Sequence, residues 1–200
     1  MNNSWDNLIA EFRSHGGIAD NIYQKKGSYG MGIFPINPKL KSRIFIPKKL
    51  LIKKEDIYLE NNKLRIKRDK SYEDGVKNFF YLYQDNLAWG GEARETTELF
   101  EKGLLEFPPS LKNVLKKYTL FDIEKRHKGA WSEIIKREFL NSRSLDFYNS
   151  SVIAPIFELV NHEVNSYPFY RKFDGFVTPN YLPRDKELTF SYGCQSSFSR

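Results

Sequence analysis

The chain has 200 residues, 40% hydrophobic and 16% aromatic, with a formal net charge of +7 and a single cysteine, Cys194. That length and apolar content are enough to bury a core as one domain, and the lone cysteine excludes an internal disulfide and any cysteine-rich zinc cluster. No apolar run reaches the roughly 18 residues of a membrane span, and Met1 to Ile9 lacks the charged-then-apolar layout of a secretory signal, so a soluble cytoplasmic protein with no membrane partner is expected.

Lys and Arg are spread along the chain and interleaved with 25 acidic residues. Without a recognised binding motif, this dispersed charge argues against a dedicated nucleic-acid surface, although acidic partners stay open. Oligomeric state is not legible.

In chain order, residues 5–15 place Trp5, Leu8, Ile9 and Phe12 on one face of a helix that Gly16-Gly17 stops. His15, just before the stop, reads as a favourable charge at a helix C-terminus. From Ile18 the pattern is that of strands: Ile18 to Gln24, a turn through Lys25 to Ser28, Tyr29 to Ile36, then Ser42 to Ile52. Gly30-Met31-Gly32 lets backbone groups approach a ligand closely, and taken alone it is equally a turn or a bulge. Residues 53–70 read as a polar hairpin turning at Asn61-Asn62, its basic residues a solvated face. Residues 72–83 are aromatic-rich, and periodicity leaves strand or buried helix open.

Helices are expected from Glu92 to Tyr148. Thr96, Thr97 or a nearby residue is placed to cap the first. After Pro108-Pro109, apolar positions at 111, 114, 115, 118 and 121 form a stripe opening on a Ser110 cap, and Gly129 separates it from a further helix at Trp131 to Leu140. These stripes read as packing. Arg143, at the end of this stretch, reads from composition alone as a surface arginine.

The last fifty residues hold two polar clusters about thirty residues apart. V-I-A-P-I-F-E-L-V-N-H ends in Asn161-His162, and K-E-L-T-F-S-Y-G puts Leu188, Phe190 and Tyr192 on one face of a period-2 strand. Asn161 offers a donor and an acceptor, His162 can do both, and Tyr192 carries a hydroxyl on a large apolar body. Read separately, Asn161-His162 is a turn and Tyr192 a core tyrosine at a strand end.

Together, in this order and spacing, the two motifs resemble those of a SET domain, and the Pro-x-x-acid-Leu-x-Asn-His form resembles the Rubisco large-subunit methyltransferase branch. The opening helix with its Gly-Gly stop, the Gly-x-Gly-Ile-Phe segment and the downstream I-P-K-K-L-L-I are similar to the start of the same branch. The resemblance implies an α+β fold: one SET domain over residues 1–200, with small twisted sheets, knot-like threading near the C-terminus, and a helical insert at about 70–148 that helps form a substrate groove. It implies S-adenosylmethionine (SAM) as cofactor and a lysine-bearing protein or peptide as partner. Gly30, Met31 and Gly32 would meet SAM, Arg143 its carboxylate, Asn161 its amino-acid part and His162 its adenine, largely through backbone. Tyr192 would contact SAM and act in catalysis, and Phe190 would line the lysine channel. Two departures stand out. Tyr29 occupies a place where the branch commonly has a charged or small polar residue, and after Gly193 the sequence reads C-Q-S-S-F-S-R, with Phe198 the candidate for the aromatic over the cofactor.

The chemistry sets its own demands. Methyl transfer to an amine is an in-line displacement by a neutral nucleophile. A lysine of pKa about 10.4 needs roughly 4 to 5 kcal/mol to lose its proton at neutral pH, so the site must disfavour the ammonium by desolvation or nearby positive charge. Protein-histidine methylation, a catalytically silent SET-fold binding module and a basic nucleic-acid binder are the alternatives.

Overall fold

A computed structural model describes residues 3–28, 30–118, 122–166, 168–178 and 186–191. The first helix, α1 (Asn3–Ser14), buries the expected stripe of Trp5, Leu8, Ile9 and Phe12. Gly16, at φ 80°, ends it, and His15 pairs with Glu11 one turn back at 3.2 Å. Asn21 then takes a positive φ of 53° and divides the first strand segment into β1 (Ile18–Asp20) and β2 (Ile22–Gly27). β2 pairs with β3 (Gly30–Pro35) from Ile22↔Pro35 to Gly27↔Gly30. The turn expected at Lys25 to Ser28 is therefore displaced: strand pairing continues through Gly27, and Gly30, at φ 94°, supplies the left-handed residue at the start of the return strand. Tyr29 lies outside the described residues.

β4 (Arg43–Pro47) is followed by β5 (Ile52–Lys53) and by the hairpin of β6 (Ile57–Glu60) and β7 (Lys63–Ile66). Asn61 and Asn62, at φ 49° and 61°, form the turn between its strands, as two positive-φ residues in a tight hairpin require. The ambiguous aromatic stretch is helical, α2 (Asp74–Asn86), burying Val76, Phe79, Phe80 and Tyr83. It packs on α1, where the Phe12 and Phe79 rings lie 5.9 Å apart.

Next come α3 (Glu92–Leu105), α4 (Pro109–Lys117), α5 (Ile123–Arg126) and α6 (Trp131–Arg143). Three details differ from the sequence expectations. Gly91 precedes α3, so Thr96 and Thr97 lie inside the helix and their hydroxyls donate back to the Glu92 and Ala93 carbonyls. Pro109 is the first residue of α4, where its missing N–H costs nothing, so Ser110 is not a cap. The α4 stripe is not packed: no residue of that helix is buried, and Val114 is 48% exposed. Position 121 lies outside the described residues. The neighbouring helices bury Leu104, Ile123, Ile134 and Ile135, and an ionic cluster joins them as well. Arg126 donates to Glu101 at 2.9 and 2.5 Å and lies 2.7 Å from Glu138, joining α3, α5 and α6.

Helix gives way to strand at β8 (Ser144–Phe147), before the Tyr148 limit, because alternating Leu145 and Phe147 face the core. β8 pairs with β9 (Ser150–Ile153), which pairs with β5. β10 (Asn161–His162), β11 (Tyr170–Lys172), β12 (Gly175–Val177) and β13 (Thr189–Phe190) complete the strands. The largest sheet runs β1-β4-β12-β11, all antiparallel, while β10 and β13 form a parallel pair. Such small sheets beside helices give an α+β architecture. One buried cluster extends from Trp5 to Phe190. The stretch expected to thread near the C-terminus includes residues outside those described. Among the described residues, no helix is long and apolar enough to cross a membrane.

Candidate functional site

The segment before Asn161 is held under local strain. Ile156 has φ 72°, a conformation costly for a β-branched side chain, and its N–H donates to the Tyr83 hydroxyl at 3.2 Å. Phe157 to Leu159 form a single 3-10 turn, which delivers Asn161 and His162 in extended conformation. In β10 they pair in register with Thr189 and Phe190, so Asn161-His162 is strand rather than turn. The Phe190 carbonyl accepts from the Glu163 N–H at 3.1 Å and from His162 Nδ1 at 2.9 Å. A carbonyl only accepts, so this contact puts the ring proton on Nδ1.

The glycine segment joins the same place through β13. Leu188 N–H donates to the Ile33 carbonyl at 2.8 Å, the backbone bridge that follows Gly32. Across it, Asn161 Nδ2 donates to the Met31 carbonyl at 3.3 Å and to Glu187 Oε1 at 2.5 Å. The Glu187 carboxylate lies where Gly32 has no side chain: a Cβ there would collide with Oε1 and stand 3.0 Å from Asn161 Nδ2. A Cβ on Gly27 would fall 2.6 Å from Glu187 Oε2. At Gly30 no atom of the described residues lies within 4 Å of the equivalent position.

Of these groups, Gly27 and Glu187 line a cleft of about 460 Å³, together with residues that include Lys25, Phe34, Glu163 and Thr189; Asn161 stands behind Glu187 and is not part of the lining. Such a volume is in the range of small-molecule sites. Lys25 Nζ sits 4.3 Å from the Phe34 ring centroid. Glu163 accepts from the Thr189 hydroxyl at 2.9 Å and from Ser166 at 3.2 Å, and these bonds, Thr189 foremost, hold its carboxyl below the usual carboxylate range. The Ser166 and Thr189 hydroxyls are also in contact with each other, so their two protons are shared among three contacts, and one hydroxyl can reach the carboxylate through the other.

Other expected residues lie elsewhere. Phe190 is 1% exposed, its ring 5.1 Å from Phe157 and 6.0 Å from Phe169 in an aromatic nest. Arg143 ends α6, half-buried, with its guanidinium 4.4 Å from the Phe139 ring and Nη1 donating to Ser142 at 2.9 Å. It does not line the cleft. Its charge acts instead on the Glu158 carboxyl, which burial pushes up to about 7 against the opposing pull of Arg143. Part of Glu158 remains accessible, but its Oε2, like Gln84 Oε1, is sealed from solvent and has no hydrogen-bond partner of ordinary geometry among the described residues. Gln84 Nε2 donates to the other Glu158 oxygen at 3.0 Å. Tyr192 and Phe198 lie outside the described residues.

Glu158 and Glu187 were absent from the expected site. An acid inside the apolar run V-I-A-P-I-F-E-L-V was the available signal for the first. Glu187 had none, because an acid in a polar strand entry looks solvated until its glycine partners are placed.

No family model matches the chain, and no curated protein matches it. Solved structures do. A structure of Rubisco LSMT bound to AdoMet superposes with a TM-score of 0.52 at 17% identity, over 98% of this chain and 54% of that one. The SET domain of LSMT bound to lysine and AdoHcy gives 0.50 at 14% identity, over 97% and 54%. The same domain bound to MeLysine and AdoHcy gives 0.50 at 15% identity, over 98% and 55%. The chain thus has the SET-domain fold. It spans about half the length of the structures it matches.

Proposed function

We propose that the chain is a SAM-dependent methyltransferase acting on the side-chain amine of a lysine in a protein. The observation that carries this reading is the convergence of the Met31 carbonyl, Asn161 and β13 beside one cleft, on a fold whose solved examples bind AdoMet or AdoHcy and, in two cases, lysine or methyllysine. The fit to SAM rests on the cleft's size and its lining of carboxylates, a threonine hydroxyl, the Phe34 ring and lysine charge, with the Met31 carbonyl and the Asn161 amide reached next to Glu187.

When bound, SAM supplies the methyl group, the amine lone pair forming an N–C bond as the C–S bond breaks. Asn161 would hold the amino-acid end and His162, tied to the Phe190 carbonyl, would keep the adenine side of the site in register with β13. Arg143, which does not line the cleft, would meet the carboxylate only of a cofactor that extends beyond it, a bidentate task for which a guanidinium is suited. The nest of Phe157, Phe169 and Phe190 would supply the apolar surroundings that disfavour a lysine ammonium and so favour the neutral amine. Tyr192, two residues past the end of β13 in the sequence, would aim its hydroxyl at the amine and the transferred methyl. A calorimetric titration tests the first requirement: saturable binding of SAM and of S-adenosylhomocysteine by the full chain is expected, and no heat with either ligand would overturn the proposal.

A further inference from the structure

We infer that Glu187 is a positioning residue for Asn161, fixing which edge of the Asn161 amide is presented to the cofactor. The inference rests on the function proposed above and adds a residue that neither the glycine motif nor the Asn-His motif contains.

The Asn161 amide has two edges of opposite character, a donor nitrogen and an acceptor oxygen. Its nitrogen faces the Met31 carbonyl at 3.3 Å and Glu187 Oε1 at 2.5 Å. Neither of these groups has a hydrogen to give. Turned the other way, the amide would set a third oxygen against two acceptors, an arrangement with no hydrogen bond and net repulsion. Glu187 therefore locks the amide with nitrogen inward and leaves Oδ1 as the edge offered to a ligand. An acceptor-only edge selects a cationic amine, and the amino-acid end of SAM carries one.

The glycines make this possible. Glu187 reaches Asn161 only because Gly32 has no Cβ where the carboxylate lies, and Gly27 leaves the space beside its second oxygen. Leu188, the next residue, is pinned to the Ile33 carbonyl at 2.8 Å, so the strand holds the carboxylate over the glycines. The glycine segment thus serves the site twice, through the Met31 carbonyl and through the room it gives Glu187.

The test compares two probes by calorimetry: S-adenosylhomocysteine and 5′-methylthioadenosine, which keeps the nucleoside and thioether but lacks the amino acid. Glu187→Ala should weaken S-adenosylhomocysteine binding on the order of tenfold and leave 5′-methylthioadenosine unchanged. Glu187→Gln, whose amide oxygen can still accept from Asn161 Nδ2, should keep affinity within about threefold of the wild type. Unchanged S-adenosylhomocysteine affinity in Glu187→Ala, or an equal loss for both probes, would overturn the inference while leaving the proposed function standing. A wild-type chain that binds neither probe would overturn both.

Discussion

His162 and Phe190 are register partners in the parallel pair of β10 and β13, and the ring of one is bonded to the carbonyl of the other at 2.9 Å. This bond ties the Asn-His motif to the strand that leads into Tyr192. His162→Ala should therefore lower stability by about 1 kcal/mol in denaturant unfolding, the net worth of one hydrogen bond. Because the proposed adenine contact is made through backbone, SAM affinity should change less than turnover.

Gly30 and Gly32 should respond differently to the same substitution. Gly32→Ala sets a methyl into the Glu187 carboxylate and against Asn161, so SAM affinity should fall on the order of tenfold or more. Gly30→Ala meets no atom of the described residues and carries the cost of φ 94°, about 1 kcal/mol of stability, with a smaller loss of affinity than Gly32→Ala. Paired calorimetry and unfolding curves separate the two.

Arg143→Ala should weaken SAM binding, and Arg143→Lys should recover only part of it, since an ammonium cannot make the bidentate contact. Calorimetric dissociation constants check this. Unaltered affinity in the alanine variant would remove Arg143 from the cofactor.

Glu158 gives stability a pH dependence. Its folded-state value, about 7, lies above the ordinary 4.5, so between these values the native state binds the extra proton. This group therefore favours folding at low pH and loses that contribution as pH rises toward 7, by up to about 3 kcal/mol. Glu158→Gln should flatten that slope and stabilise the protein most at pH 8, because its amide also offers a donor where Gln84 Oε1 has none. Thermal midpoints of both proteins at pH 5 and pH 8 test it.

Where the sequence spoke clearly, one local rule governed. The Trp5, Leu8, Ile9 and Phe12 stripe has a single buried face, and Asn61-Asn62 suits the two positive φ values of its turn. Residues 72–83 resisted because neighbours Phe79 and Phe80 are both buried, which blurs any period. The α4 stripe misled because amphipathicity states that a face can pack, not that a partner stands opposite. The Glu101–Arg126–Glu138 cluster could not be read, since its members lie on three separate helices. In the candidate site, Gly32 and Asn161 were visible as motif residues. What fills the space at Gly32 was not, because the Glu187 contact exists only once β3, β10 and β13 are assembled.

The most direct measurement incubates the chain with methyl-labelled SAM and a protein extract, then locates the label by mass spectrometry. The account predicts label on lysine side chains, lost on Tyr192→Phe while SAM binding survives. Label on another residue type, no label despite bound SAM, or undiminished labelling by Tyr192→Phe would contradict it.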